Sequence, residues 1–341
     1  MNILVIKQTS LGDVLHSTGH IRTIKENFPD CRLTLLTAAA SADIYRHNPW
    51  VDDIIVLDLS RIKRQWRRRL APTVRHIAGV FSRVRARRFA LAFDLQGLAR
   101  SVVFLYAARA DQKYVKGRWP GLARFRNPAL HAIAEMDGVL GRARLSVTDT
   151  SMELFTGEAQ RRHIDELLAR INPGGKPLLL FSPFSRWKSK DWPLHRYVEL
   201  VARLGGSCCV VFTGAAQWRQ RIADALPADC PAVNLAGRLS LPQFAELVGR
   251  ANLMVSGDSF PMHAACAQNI PVVALFGPTD ESKTGPAGGG HQVIRAPDCA
   301  RCDRPDCRRR CLGRLSIEAV FSALDAKLKE TGETGETGTC G

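Results

Sequence analysis

The chain has 341 residues, 45% of them hydrophobic and 23% charged, which is typical of globular proteins and long enough for two domains of ordinary size. Lys and Arg number 48 against 32 Asp and Glu, and the resulting formal net charge of +16 favours phosphate-rich partners. The sequence contains no apolar run long enough to span a membrane and no signal-peptide pattern at its N-terminus, so we expect a cytoplasmic protein.

Short strands alternate with helices in the first half of the chain. Strands are predicted at Ile3–Ile6, Leu33–Leu36, Ile54–Leu57 and Leu91–Asp94. Helices are predicted over the basic segment that follows Asp58 and at Asp13–Asn27, Ala42–His47 and Leu98–Ala108. Residues 109–150 are rich in Gly, Pro and Arg, and we predict loops there, with one helix near His131–Leu140. The alternation predicts a parallel sheet with helices on both faces.

The same alternation resumes after a break at Asn172-Pro-Gly-Gly. Strands are predicted at Leu178–Ser182, Cys208–Thr213, Ala232–Leu235, Leu253–Ser256, Val272–Phe276 and Gln292–Ile294. Helices are predicted at Leu194–Leu204, Ala216–Ala225, Leu241–Gly249 and Met262–Gln268. We therefore predict two doubly wound α/β domains, residues 1–160 and 175–328, in which ligands bind beyond the carboxyl ends of the strands. The Glu-Thr-Gly repeats of residues 329–341 predict a disordered tail.

The basic segment lacks acidic residues between Asp58 and Asp94, while Arg61 to Arg88 contains eleven Lys and Arg residues. Apolar residues are interleaved at helical spacing, so the segment is either a solvated helical face or a basic amphipathic helix that contacts an anionic membrane surface. The candidate basic patch consists of Arg64, Arg67 and Arg68.

Several common nucleotide-binding motifs are missing. No G-x-G-x-x-G follows the first strand, and the Gly175-Lys176 pair is followed by Pro, which argues against a dehydrogenase and a P-loop NTPase. No Asp-x-Asp occurs, which weakens the case for a metal-bridged diphosphate.

Asp13 follows the first strand, in the segment Lys7–Val14. Gly12 permits a tight turn, and the dipole of the following helix favours an ionised carboxylate in its first turn. Asp13 is therefore a candidate general base for a sugar hydroxyl, or simply a helix-capping residue.

A second polar turn, Ser182–Pro193, leaves the first strand of the second domain. It carries hydroxyls, indoles and three cations. Lys188 or Lys190 could balance the charge of a diphosphate leaving group; the alternative is a surface loop closed by the packing of Trp192.

A third turn joins a strand to a helix at Asp258, Ser259 and His263. The free N–H groups of a helix start suit a phosphate, and His263 could add a donor, although a lone histidine is more often structural.

Four cysteines are closely spaced as Cys299-x2-Cys302-x4-Cys307-x3-Cys311. They are candidates for a structural zinc site, with reduced thiols or disulfides as the alternatives. The apolar contexts of Cys31, Cys208, Cys209 and Cys266 predict inert core thiols.

Four segments of the chain form a set: I-K-x-x-S-L-G-D-V, D-L-Q-G-L-A-R-S at Asp94–Ser101, K-D-W-P at Lys190–Pro193, and D-S-F-P-M-H-A-A with the following P-V-V-A-L-F-G-P-T. In order and spacing these segments resemble the ADP-heptose:lipopolysaccharide heptosyltransferase family. The resemblance implies the GT-B fold, with two Rossmann-like domains facing across a cleft. It also implies inverting transfer of a heptose or related sugar from a nucleoside-diphosphate donor, ADP-heptose, without a catalytic cofactor or metal.

The resemblance assigns roles to individual residues. Asp13 matches the general base, Lys190 the lysine that contacts the donor diphosphate, and Ser185 a hydroxyl of the phosphate loop; the donor-binding turn matches Asp258, Ser259 and His263. The family turn usually carries Gly where this chain has Phe260, whose side chain could block the phosphate or demand another backbone conformation. Transferase activity is still expected, but because of Phe260 the sequence does not identify the donor.

The expected partners are a nucleotide-sugar donor, an anionic glycolipid acceptor such as a lipopolysaccharide core, and the cytoplasmic surface of the inner membrane. No specific nucleic-acid partner is expected, and the sequence makes no prediction of oligomeric state. A nucleotide-sugar epimerase of GT-B architecture is one alternative. A non-catalytic protein that binds anionic surfaces is another, but it would not require Asp13, Lys190 and His263 at strand ends.

Overall fold

The computed structural model describes residues 1–58, 62, 70–307 and 310–336. The chain divides into two compact units, Met1–Phe155 and Thr156–Gly341, called here the first and second units. No helix in the described part of the chain is long and apolar enough to cross a membrane.

The first unit contains a parallel six-stranded sheet in the order β3-β2-β1-β4-β5-β6. Its strands are β1 Asn2–Ile6, β2 Arg32–Ala38, β3 Asp53–Leu57, β4 Arg88–Asp94, β5 Arg109–Lys116 and β6 Ala123–Phe125. β1 and β2 are buried along almost their whole length, as expected for parallel strands covered on both faces. The direction of winding reverses between β1 and β4, and ligands of such sheets bind at this switch point.

The helices of the first unit are α1 Leu11–Leu15, α2 Thr18–Asn27, α3 Ala39–Tyr45, α4 Leu70–Arg85, α5 Ala99–Ala107 and α6 Ala132–Arg142. The single helix predicted at Asp13–Asn27 is divided into α1 and α2. The hydroxyls of Ser17 and Thr18 donate to the carbonyls of Val14 and Leu15, at 2.7 and 2.8 Å. Such side-chain bonds compete with the helical pattern and explain the break.

Strands β5 and β6 lie in residues 109–150, where the sequence predicts loops and one helix. β5 reads R-A-D-Q-K-Y-V-K, and only Tyr114 and Val115 are buried. Because the strand lies near one edge of the sheet, it carries charges that hide its strand pattern. The prediction of loops is therefore wrong for these two strands.

The second unit has a parallel six-stranded sheet in the order β12-β11-β10-β7-β8-β9, which repeats the winding of the first. Its strands are β7 Leu178–Ser182, β8 Cys209–Phe212, β9 Val233–Asn234, β10 Leu253–Gly257, β11 Val272–Phe276 and β12 Gln292–Arg295. Both sheets have the Rossmann strand order, so the predicted pair of doubly wound domains is confirmed.

Seven helices accompany the second sheet in the described residues: α7 Glu158–Ile171, α8 Leu194–Leu204, α9 Arg219–Ala225, α10 Leu241–Gly249, α11 Phe260–Ala267, α12 Glu281–Thr284 and α13 Ile317–Glu336. Trp192 is buried in the core of this unit, edge-on to Tyr197 at 5.0 Å between ring centroids, and its indole N–H donates to the Leu315 carbonyl at 3.1 Å. Trp192 thus closes the loop that precedes α8.

The domain ends differ from those predicted. α7 occupies the segment between residues 160 and 175 that separates the two predicted domains, and it belongs to the second unit, tied to α10 by the Asp165–Arg250 ion pair at 3.0 Å. α13 runs to Glu336, into the segment from residue 329 where the sequence predicts a disordered tail; a helix that has formed extends more easily than it starts. Residues 337–341 lie outside the described residues, as do Arg64, Arg67 and Arg68.

Candidate active site

Asp13 lies in the first turn of α1, three residues beyond the N-cap Ser10. The backbone N–H and the hydroxyl of Ser10 both donate to Asp13 Oδ2, each at 3.0 Å. Asp13 is half-buried. The carboxylate therefore caps the helix, as one interpretation predicted, and the donors that hold it also stabilise the ionised form that a general base needs.

Two buried ionisable groups at the carboxyl edge of this sheet, Lys7 and Asp94, were not singled out by the sequence, and Lys7 interacts electrostatically with Asp13. Lys7 is 3% exposed and donates from Nζ to the Leu95 carbonyl at 3.1 Å. Burial lowers the pKa of Lys7 to about 8, while the negative charges of Asp13 and Asp94 favour its charged form. The signal in the sequence is the position of Lys7, directly after a fully apolar strand.

Asp94 ends β4 and is fully buried. Its Oδ1 accepts hydrogen bonds from the backbone N–H groups of Gln96 and Gly97, at 2.8 and 3.0 Å. Burial raises the pKa of Asp94 to about 6, against the opposing effect of these bonds and of Lys7. The carboxyl edge of the first sheet therefore holds a buried cation that interacts electrostatically with the carboxyl groups of Asp13 and Asp94.

Asp258 brings together three of the residues predicted in the second unit. It directly follows β10, is 6% exposed, and its Oδ2 lies 2.7 Å from Lys190 Nζ. His263 Nε2 lies 4.0 Å from Asp258 Oδ1. The hydroxyl of Thr284, which the sequence did not indicate, donates to Asp258 Oδ2 at 3.3 Å.

Lys190 is fixed by more than its ion pair. Its Nζ lies 4.3 Å from the centre of the Trp187 ring, in a cation–π contact. A Cβ at Gly257 would come within 2.8 Å of the Lys190 carbonyl oxygen, so glycine is needed for the two turns to approach. The arrangement presents a cation and a histidine at the end of β10, which suits an anionic ligand.

The other predicted residues of the second unit lie differently. The hydroxyl of Ser185 donates to the Trp187 carbonyl at 2.8 Å and accepts from the Trp187 N–H at 3.1 Å, so it holds its own loop. Lys188 is exposed at the start of a short 3₁₀ turn. Ser259 is the N-cap of α11 and donates to the Gly257 carbonyl at 3.3 Å.

Phe260 is the first residue of α11 and has no unusual backbone conformation, since its φ is not positive. Its ring packs 6.0 Å from that of Phe244, between ring centroids. The concern that a side chain here would demand another backbone conformation is therefore removed. The helix start accommodates Phe260 by packing its ring against α10.

The cysteine cluster is partly buried. No group of three or more His, Cys, Asp or Glu residues is arranged to hold a metal ion in the parts of the chain that the structure describes. Cys311 is buried in the core of the second unit, and burial, with Cys299 nearby, raises the pKa of Cys311 to about 11. A structural zinc site stays a prediction. The four other cysteines predicted to be core thiols are all buried: Cys31, Cys208, Cys209 and Cys266.

Replacing Asp94 with Asn tests the buried charge in the first unit. Because the native carboxyl has a pKa of about 6, above its ordinary 3.8, it binds its proton more tightly than the unfolded one. The wild-type free energy of unfolding should therefore lose about 2 kcal/mol between pH 4.5 and 7.5 through this group. In Asp94→Asn that loss should disappear, as measured by urea denaturation at both pH values. An equal pH dependence in both proteins would contradict a raised pKa.

Comparisons with known proteins bear on this geometry. The family model of glycosyltransferase family 9 (heptosyltransferase) matches residues 77–312. Lipopolysaccharide heptosyltransferase 1 of Pseudomonas aeruginosa is 29% identical, and the match covers 96% of this chain and 98% of that protein. Lipopolysaccharide heptosyltransferase 2 of Salmonella typhimurium is 26% identical, with 86% of this chain and 88% of that protein covered.

Solved structures show the same fold. The family 9 glycosyl transferase of Veillonella parvula has a TM-score of 0.82 at 22% identity, covering 96% of this chain and 97% of that one. E. coli heptosyltransferase WaaC with ADP has a TM-score of 0.76 at 20% identity, covering 96% of this chain and all of that one. The predicted GT-B fold is confirmed. Since the family model matches more than half of the sequence, the chain belongs to glycosyltransferase family 9, the heptosyltransferases, and is a glycosyltransferase.

Proposed function

We propose that this protein transfers a heptose, with inversion and without a metal ion, from ADP-heptose to a lipopolysaccharide core. The family match carries the proposal. The names of the relatives support the sugar and the acceptor. Solved structures of an E. coli heptosyltransferase with ADP and with ADP-2-deoxy-2-fluoro heptose support the donor. Membership of the family favours this function over both alternatives, the epimerase and the non-catalytic anionic-surface binder.

In the proposed reaction Asp13 is the general base. It takes the proton of an acceptor hydroxyl while that oxygen attacks the anomeric carbon of the heptose. The new carbon–oxygen bond forms as the bond to the donor phosphate oxygen breaks, and attack from the opposite face inverts the configuration. The two donors of Ser10 hold the carboxylate in place during the proton transfer.

The second unit has the groups that would stabilise the departing nucleoside diphosphate. Lys190 is fixed by its ion pair with Asp258 and its contact with Trp187, so little reorganisation is needed when negative charge develops. Lys188 supplies a second cation, and Ser185, Ser259 and His263 supply hydroxyl and imidazole groups. In the first turn of α11 only the Phe260 N–H is left as a backbone donor among the first three residues, because Pro261 has no N–H and the Met262 N–H donates to the Ser259 carbonyl at 3.1 Å.

We further propose that the protein works at the cytoplasmic face of the inner membrane. α4 exposes apolar side chains at its start, Leu70 at 57% and Val74 at 52%, and Arg75 beside them is exposed. The basic patch of Arg64, Arg67 and Arg68 directly precedes this helix in the sequence. Apolar side chains next to clustered arginines are the combination that binds anionic lipid surfaces.

Replacing Asp13 with Asn tests the proposed base. The amide cannot accept the proton, so kcat should fall by about 10²- to 10⁴-fold, while the donor dissociation constant stays near that of the wild type. Product formation and calorimetric titration of ADP-heptose measure the two effects. Asp111→Asn, at an exposed carboxylate paired with Arg88, is the matched control and should keep full activity. Wild-type turnover in Asp13→Asn would refute the assignment.

Replacing Lys190 with Met tests the diphosphate site. The variant should bind the donor more weakly and turn over more slowly, because a charge-assisted contact to the leaving group is lost. Lys190→Met also leaves the buried Asp258 carboxylate without its cation, which lowers stability. The double variant Lys190→Met/Asp258→Asn removes that unpaired charge. It should therefore fold normally and still be impaired in donor binding and turnover. Lys176→Met, at an exposed lysine that donates to the Gly206 carbonyl, is the control. Normal donor affinity in both Lys190 variants would exclude the role.

Charge reversal of Arg64, Arg67 and Arg68 to Glu tests membrane binding. Sedimentation with phosphatidylglycerol-containing vesicles should decrease, and binding of the wild type should weaken as salt is raised. Reversal of Arg161 and Arg162, two exposed arginines of α7, should leave vesicle binding unchanged. Equal sedimentation of the Arg64/Arg67/Arg68 variant and the Arg161/Arg162 variant would contradict the proposal. So would a wild-type protein that binds neutral vesicles as well as anionic ones.

A further inference from the structure

The segment Asp94–Ser101, with the sequence D-L-Q-G-L-A-R-S, has no part in the reaction described above. It begins at the end of β4, which pairs directly with β1, and Asp94 lies opposite Ile6 in the register. The turn after β4 and the turn after β1 therefore leave the sheet side by side. The turn after β4, which carries Gln96, therefore lies beside the turn after β1, which leads to Asp13.

The side chain of Gln96 bridges the two turns. Its Oε1 accepts hydrogen bonds from the backbone N–H groups of Gln8 and Thr9, at 3.2 and 3.0 Å. These residues lie just past the end of β1, where sheet partners run out and buried N–H groups need other acceptors. One amide oxygen thus holds the backbone of the turn that leads to Asp13.

Gln96 is itself held in a fixed position. The buried Asp94 carboxylate accepts from the N–H groups of Gln96 and Gly97, which shapes the turn. Gly97 has φ +70°, and a Cβ there would overlap the Lys116 carbonyl oxygen, so only glycine fits. The amide of Gln96 is therefore presented by a rigid turn.

Two other contacts join the same turns. The Lys7 ammonium donates to the Leu95 carbonyl at 3.1 Å, and the Arg100 guanidinium donates to the Thr9 hydroxyl. The next residue, Ser10, donates twice to Asp13 Oδ2. Hydrogen bonds, linked through the covalent bond between Thr9 and Ser10, thus connect Asp94 through Gln96 to the carboxylate of Asp13.

We propose that Gln96 is a positioning residue for Asp13: its amide oxygen fixes the turn after β1 so that the carboxylate meets the acceptor hydroxyl. The inference rests on the proposed role of Asp13 as the base. A displacement of about 1 Å in a reacting group can cost about 10²-fold in rate, so a turn held by two backbone bonds has a measurable effect on catalysis.

The test compares two substitutions of Gln96. Gln96→Met keeps the length of the side chain but removes the acceptor, so kcat should fall by about 10- to 100-fold with the donor KM unchanged. Gln96→Glu keeps an acceptor oxygen and adds a negative charge near Asp13. It should retain activity at high pH, while the acidic limb of its pH–rate profile moves to higher pH, because a neighbouring negative charge disfavours ionised Asp13.

Gln160→Met is the matched control, since Gln160 Oε1 likewise accepts from a backbone N–H, that of Gly157 at 3.2 Å, in the second unit. It should leave kcat and the pH profile unchanged. Wild-type kcat in Gln96→Met overturns the proposal. If Gln96→Met does not fold, the shorter Gln96→Asn decides, because its amide oxygen falls short of the Gln8 and Thr9 N–H groups: a kcat lowered about 10-fold or more with an unchanged donor KM supports the proposal, and wild-type kcat overturns it.

Asp13→Asn, assayed in parallel, separates this proposal from the function on which it rests. An active Asp13→Asn refutes the base itself, and with it the role of Gln96. An inactive Asp13→Asn together with a fully active Gln96→Met refutes only the positioning role.

Discussion

A strand that is buried on both faces can carry a charged side chain only near its end, and this constraint places the charged groups of both clusters. β1 and β10 are apolar and buried, and Lys7 and Asp258 are the first charged residues beyond their carboxyl ends. Because the strands of each sheet are parallel, these ends lie along one edge. The apolar core of each unit therefore decides where its polar chemistry lies.

The two clusters differ in their balance of charge, and the difference matches their proposed tasks. In the first unit Lys7 interacts with three carboxyl groups, Asp13, Asp94 and Glu135, and with a second cation, Lys116; burial lowers the pKa of Lys7 and raises that of Asp94, which favours the neutral form of each. Buried ionisable groups with shifted pKa values are typical of functional sites. In the second unit one carboxylate, Asp258, lies against a lysine and a histidine. The first arrangement suits a proton acceptor, and the second suits an anion.

The sequence predicted what strong local patterns determine. The apolar strands, the alternation with helices, and the strand-end positions of Asp13 and Asp258 were all visible, because burial on both faces leaves a continuous apolar run. The strand β5 was missed because its exposed positions carry charges near a sheet edge. The link between Gln96 and Thr9 was also missed, since it joins residues far apart in the sequence and depends on the pairing of β1 with β4. Phe260 departs from the family pattern in sequence, yet its backbone is ordinary.

Analysis of the reaction product distinguishes inverting heptosyl transfer from retaining transfer and from epimerisation. The purified protein is incubated with ADP-heptose and a lipopolysaccharide acceptor that lacks core heptose, in a buffer that contains EDTA to remove metal ions. The product is then analysed by mass spectrometry and NMR. We expect release of ADP, the mass gain of one heptosyl unit, and an anomeric configuration opposite to that of the donor. Retained configuration, or conversion of the sugar nucleotide without any transfer to the acceptor, would contradict this expectation.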